Sequence, residues 1–109
     1  MRRGPALVSW LGAALLGAAP VRAADVAAGQ KKAQACTVCH GAQGLGAAPD
    51  APHLAGQPAQ YLVAQLRAYR NGGRKHEVMS LMARPLSNAE IDDLAAWFSS
   101  IEVQIKATP

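Results

Sequence analysis

Apolar residues recur with helical spacing in two stretches of this chain. The stronger lies near the C-terminus, where Ile91, Leu94, Ala95, Phe98 and Ile101 fall at i, i+3, i+4, i+7 and i+10, while Glu90, Asp92, Asp93 and Glu102 fall away from that stripe. Ser87-Asn88-Ala89-Glu90 forms a capping box ahead of it, so a helix is predicted to open at Ser87 and to run through the bulky Trp97 and Phe98. Leu62, Leu66 and Tyr69 make a second stripe at i, i+4 and i+7. Pro58 suits the first position of that helix, and Asn71-Gly72-Gly73 supplies its stop. Upstream, Asp25 can cap a helix over residues 26–35. Gly29 in its middle costs up to about 1 kcal/mol relative to alanine. It is predicted to mark a close crossing with the last helix, where the missing side chain admits the aromatic. Between these helices, residues 41–57 are rich in Gly, Ala and Pro and read as an ordered loop. Residues 103–109 are expected to fray.

The first stretch changes the picture, because it reads as an export signal and not as part of the fold. Arg2 and Arg3 form a positive end, Ala6 to Ala19 is uncharged and rich in Ala and Leu, and Val21-Arg22-Ala23 resembles a cleavage pattern. Residues 1–23 are therefore expected to be a signal peptide and residues 24–109 the functional domain. An uncleaved membrane anchor is the alternative, but Gly12, Gly17 and Pro20 suit a membrane helix poorly. Export places the domain in the periplasm.

At 109 residues the chain holds one domain at most. Its formal charge of +4 belongs largely to the leader. Three of the eleven basic residues are Arg2, Arg3 and Arg22, which leaves eight against seven acids, and no nucleic-acid footprint survives. The domain has only Tyr61, Tyr69, Trp97 and Phe98 as aromatics, so its own core is limited. A large, flat, apolar cofactor would supply the missing volume, and the protein without it is expected to be loose or unfolded.

The candidate chemistry is concentrated in Cys36-Thr37-Val38-Cys39-His40, which has the spacing of the c-type haem attachment signature. Two thiols three positions apart can each add across one vinyl group on a haem edge, and the imidazole that follows reaches the iron from the same side. A structural disulfide, a thiol redox pair and half of a zinc site compete with this reading. His40 is too close to both cysteines to complete a spaced zinc pattern. The alanine-rich, lysine-bearing stretch before the motif is not the strand that a redox site of the thioredoxin kind requires. Two cysteines suffice for one haem.

A ligand for the opposite face of the iron must come from elsewhere. Met79 and Met82 are the only methionines besides Met1, and a thioether suits low-spin haem iron. One of the two is expected to bind and the other to pack. His53 and His76 are competing imidazoles. A backbone carbonyl in the loop after the motif is expected to hold the second ring nitrogen of His40. Arg67, Arg70, Arg74 and Lys75 cluster near the end of the second helix, as a solvated face or as partners for a haem propionate or an acidic protein.

Residues 25–102 resemble the small class I c-type cytochromes of bacteria. The likeness is greatest to one half of the periplasmic di-haem cytochromes and to their single-haem relatives. It rests on Asp25 to Gly29, Cys36 to Gly41, Pro49, Pro52, Leu54-Ala55-Gly56-Gln57, the Tyr61-Leu62 helix, Met79-Ser80-Leu81-Met82 and Leu86-Ser87 leading to Asp93-Leu94-Ala95-Ala96-Trp97-Phe98. The resemblance implies an all-α, cytochrome c-like fold of about four short helices around one covalently bound haem. It further implies Met79 as the iron ligand and the Pro49 carbonyl as acceptor of the His40 ring N–H. The function it implies is that of a non-enzymatic, one-electron carrier between redox proteins such as a dehydrogenase, a cytochrome complex or a terminal oxidase. A haem subunit of a larger dehydrogenase, and a gas sensor or peroxidase, are the rival functions. Contact with a membrane is expected only through partners or an uncleaved leader. The chain departs from the di-haem form in carrying a single motif.

Overall fold

The computed structural model describes residues 1–18 and 21–109. Ala19 and Pro20, which belong to the expected leader, lie outside the described residues. The described residues form five α-helices, in order α1 Val26–Lys32, α2 Thr37–His40, α3 Ala59–Asn71, α4 Met79–Ala83 and α5 Asn88–Ser100. A turn of 3-10 helix, Ala33–Cys36, joins the first two, and the described residues contain no strand.

Asp25 caps α1 as expected, its carboxylate accepting the Ala28 N–H at 3.0 Å. The single helix expected over residues 26–35 instead tightens at Ala33. The Thr37 N–H returns to the Gln34 carbonyl three residues back, and the Thr37 hydroxyl donates to the same oxygen at 2.9 Å, which favours the narrower winding. The capping box at Ser87 is present in full: the Glu90 N–H donates to Ser87 Oγ at 3.1 Å and the Ser87 N–H donates to Glu90 Oε1 at 3.0 Å. On α3, Pro58 is the cap residue just before the helix rather than its first member, and Gly72 ends it.

The first and last helices cross at Gly29. A Cβ there would overlap the main-chain carbonyl of Asp93 and come within 3.0 Å of the Trp97 Cβ. The aromatic residue is a neighbour, as the sequence suggests, but the closest approach is to the α5 backbone itself. Ile91, Leu94, Ala95 and Phe98 are buried on α5, and Leu94, Ala95 and Phe98 form one core with Leu62 of α3 and Ala33. Burial of a side chain such as Leu94 or Phe98 stabilises the fold by about 1.5–3 kcal/mol.

Asp93 departs from expectation. It falls off the apolar stripe yet is only 6% exposed. Its carboxylate is compensated from outside the core, by the Arg22 guanidinium at 3.0 and 2.8 Å and by the Asp25 N–H at 2.8 Å. These partners hold its pKa below the ordinary carboxylate range.

Residues 1–18 and 21–24 contain no helix and are exposed, Trp10 and Leu15 almost completely so. Among the described residues no helix is long and apolar enough to cross a membrane. Residues 102–109 also lie outside the helices and are exposed.

Candidate cofactor-attachment site

The short α2 organises the site. Cys36 is its cap residue, and Cys39 and His40 lie in its single turn. Both cysteines are free thiols; Cys36 is half-buried against the core and Cys39 is exposed. Burial pushes the Cys36 thiol up, opposite to the shift that would activate a redox thiolate. Among the described residues no three His, Cys, Asp or Glu side chains gather into a group able to hold a metal ion. A zinc site, which takes four ligands, therefore has no ligand set there.

His40 is buried, 6% exposed, and its Nδ1 lies 2.9 Å from the Pro52 carbonyl. A carbonyl only accepts, so Nδ1 carries the proton and the lone pair of the neutral ring resides on Nε2. The Pro49 carbonyl, expected in this role, does not fill it. Pro49 is exposed at the tip of a turn closed by the Ala51 N–H on the Ala48 carbonyl at 3.1 Å. Before that turn, the Ala47 and Ala48 N–H groups both donate to the Cys39 carbonyl, at 2.8 and 3.0 Å, which ties the outgoing arm of the loop to α2. The returning arm passes so close to Gly46 that a Cβ there would overlap the Ala51 carbonyl. This return brings Pro52, not Pro49, to the ring.

The other two imidazoles have the opposite polarity. His53 Nδ1 accepts the Gly46 N–H at 2.7 Å, and His76 Nδ1 accepts the N–H groups of Val78 and Met79, each at 3.1 Å. An amide only donates, so each neutral ring must carry its proton on Nε2. Both rings are committed to holding loop backbone. Their tautomers leave no free lone pair for iron, whereas that of His40 does.

Met79 opens α4 and is half-buried; Met82, one turn on, is 40% exposed. The helix lies against α3. The structure thus gathers Cys36, Cys39, His40 and the 41–57 loop into one unit, while the two methionines come from a separate element. Three of the four clustered cations are spent within the chain. Arg70 donates to the Leu86 carbonyl at 2.9 Å and to Asn88 Oδ1 at 2.6 Å, Arg74 donates to Gln65 Oε1 at 2.7 Å while covering the Tyr69 ring, and Arg67 pairs with Asp92 at 3.6 Å. Their first role is to brace α3 against its neighbours. Sequence reasoning missed the Pro52 carbonyl and the backbone-holding roles of His53 and His76; the Gly46 amide lies seven positions from His53, and only His76 has its amides close by in the sequence.

The donor set fits a covalently held haem. Two free thiols stand on one short helical turn beside an imidazole whose Nε2 lone pair is available, and the segments bearing His40 and Met79 present exposed apolar side chains, Leu45, Val78 and Leu81.

Comparison with known proteins agrees. Residues 26–102 match the family described as Cytochrome c. The chain is 47% identical over 83 residues to cytochrome c-554(548) of Halomonas halodenitrificans, covering 73% of this chain and all of that one. It is 46% identical to the thiosulfate dehydrogenase electron acceptor of Thiomonas intermedia, covering 94% of this chain but 46% of that protein, so it spans about half the length of this relative. Among solved structures, reduced cytochrome c4 from Pseudomonas stutzeri aligns with a TM-score of 0.69 at 42% identity, over 73% of this chain and 47% of that one. Thiosulfate dehydrogenase from Marichromatium purpuratum aligns with a TM-score of 0.68 at 38% identity, over 82% of this chain and 22% of that one. By this match and by its all-helical fold, the chain belongs to the cytochrome c family of haem-bearing electron carriers.

Proposed function

We propose that this protein is an exported, single-haem electron carrier, with Cys36 and Cys39 holding the haem through thioethers and His40 and Met79 as its axial ligands. The observation that carries the reading is the polarity of His40: its Nδ1 donates to the Pro52 carbonyl, which leaves the Nε2 lone pair available to a metal. When bound, haem c supplies a one-electron iron couple. Cys36 and Cys39 fix its edge, so that His40 is always on hand. Met79 contributes a neutral thioether that favours the reduced state relative to stronger donors. With His40 and Met79 both holding the iron, no position would be left for a substrate, and the role would be transfer rather than catalysis.

Export is supported by the leader. The side chains of Trp10, Leu11, Leu15 and Leu16 are at least 93% exposed and contribute nothing to the core. Removal of residues 1–23 leaves the domain from residue 24 in the periplasm, with the Asp25 N–H keeping its bond to Asp93 after Arg22 has gone. Its partners are redox proteins: a dehydrogenase, a cytochrome complex or a terminal oxidase. A dehydrogenase has specific support, because one relative is named as the electron acceptor of thiosulfate dehydrogenase and one aligned structure is such an enzyme. The same two likenesses favour a second reading, a haem subunit fixed within a dehydrogenase; co-purification with a catalytic subunit at constant stoichiometry distinguishes it.

The test is optical spectroscopy of the purified protein, oxidised and reduced, alongside Met79→Ala and Met82→Ala. Loss of the weak sulfur-to-iron band in Met79→Ala alone is expected. Loss in Met82→Ala alone would move the ligand by one turn of α4. Rapid carbon monoxide binding by the reduced wild type would replace the carrier with a gas sensor or peroxidase. Mass spectrometry of the mature protein is expected to give one covalent haem and an N-terminus at Ala24.

A further inference from the structure

α4 begins without an ordinary cap. The residue before it, Val78, makes no side-chain capping bond, and the first amides of so short a helix need an acceptor from outside. His76 supplies it: one imidazole nitrogen accepts both the Val78 and the Met79 N–H, at 3.1 Å each. The arrangement is reciprocal, since the His76 N–H donates to Ser80 Oγ at 3.0 Å and the Ser80 N–H donates to the His76 carbonyl at 3.0 Å. Four bonds therefore close on the one turn that presents Met79. The ring is also anchored outside the turn. It stands edge-on to Tyr69 of α3, with centroids 6.4 Å apart and planes at 74°, and the Arg74 guanidinium covers that tyrosine at 4.7 Å.

We infer that His76 is a positioning residue for the distal ligand: as a side-chain cap it fixes the main chain at Met79 and couples it to α3, so that the thioether meets the iron without first having to be ordered. The inference rests on Met79 being that ligand. What matters is the acceptor at Nδ1 rather than the bulk of the ring. Asparagine, whose side-chain oxygen is among the preferred caps of helical amides, replaces the function; alanine does not.

The experiment uses the haem-loaded protein and measures the affinity of the oxidised form for added imidazole, which competes with the distal ligand, together with the sulfur-to-iron band. Loss of an acceptor shared by two amides is worth about a factor of ten in an equilibrium constant. His76→Ala is therefore expected to bind imidazole about tenfold more tightly and to show a weakened band, with His76→Asn close to wild type. In a Met79→Ala background, His76→Ala is expected to leave imidazole affinity unchanged, because there is no distal thioether left to position. A general structural role would instead lower stability alike in both backgrounds without this dependence. His76→Ala with wild-type affinity and band, beside a responsive Met79→Ala, overturns the inference alone. His76→Asn behaving like His76→Ala overturns it too, because the ring's shape would then matter and not its acceptor. If Met79→Ala itself matches wild type in both readouts, the ligand assignment falls first and takes the inference with it.

Discussion

Where α1 meets α5, the two helices pack backbone to backbone, edged by the Asp25–Asp93 and Lys32–Glu90 contacts. Gly29 lets two backbones touch, Phe98, Leu94 and Ala95 fill the space against Leu62, and the polar groups of the helix start are satisfied by the Ser87–Glu90 box. The segments 41–57 and 72–86 are held differently. In them apolar residues such as Leu45, Val78 and Leu81 stand exposed, and the backbone is tied by imidazole nitrogens: His40 to Pro52, His53 to Gly46, His76 to Val78 and Met79. One region is held mainly by packing. The other is a scaffold of directed hydrogen bonds, and the direction of each bond decides what its ring can do next. The same side-chain type keeps its Nε2 lone pair available when Nδ1 faces a carbonyl and becomes a backbone clamp when Nδ1 faces an amide.

The contrast can be broken hardest from the packed side. Phe98→Ala is expected to cost about 3–5 kcal/mol in urea unfolding, with the optical spectrum of the surviving folded protein unchanged. Gly29→Ala forces α1 away from the Asp93 carbonyl and is expected to cost about 1–3 kcal/mol, again without a spectral change. A shifted spectrum in either variant would join the two regions into one cooperative unit. Next is removal of the haem. Amides of α1 and α5 are expected to keep more protection from hydrogen exchange than those of residues 41–57 and 72–86, and equal loss would erase the distinction. His53→Ala removes the acceptor of the Gly46 N–H and is expected to cost about 1 kcal/mol, with exchange accelerated in the loop and not in α5.

The smallest effect concerns acid. Lys32 first, and then the Ser87 backbone, hold the Glu90 carboxyl at about 2, well below its ordinary 4.5. As pH falls through that interval, the unfolded chain takes up a proton that the folded chain refuses. The stabilisation is therefore complete above the ordinary value and is lost towards the depressed one. Lys32→Ala brings the two values closer together, the Ser87 bond remaining. Its melting temperature is expected to fall less than that of wild type between about pH 5 and about pH 3; an equal fall would show that this pair at the α1–α5 junction carries no weight.

The packed region was the more legible in the sequence, for a physical reason. A capping box, an apolar stripe and a glycine inside a helix are local patterns, realised at Ser87, on α5 and at Gly29, while of the α3 stripe only Leu62 is buried. Asp93 escaped because its compensation comes from Arg22 and Asp25, 71 and 68 positions away. In the scaffold region, the attachment motif and both methionines could be read as candidate chemistry. The choice between the Pro49 and Pro52 carbonyls could not, since it depends on where a turn reverses the chain. Nor could α4, whose cap is a histidine and not one of the residues that usually announce a helix start.

The crossing at Gly29 also sets a timetable. Asp25 and Asp93 meet across 68 positions, so the α1–α5 contact waits until nearly the whole chain has been made. At about 5–20 residues per second, the N-terminal helix spends several seconds without its partner, and seven residues are too few to hold a helix alone. The nascent chain stays open and threadable until the last helix arrives and closes the structure over its own beginning.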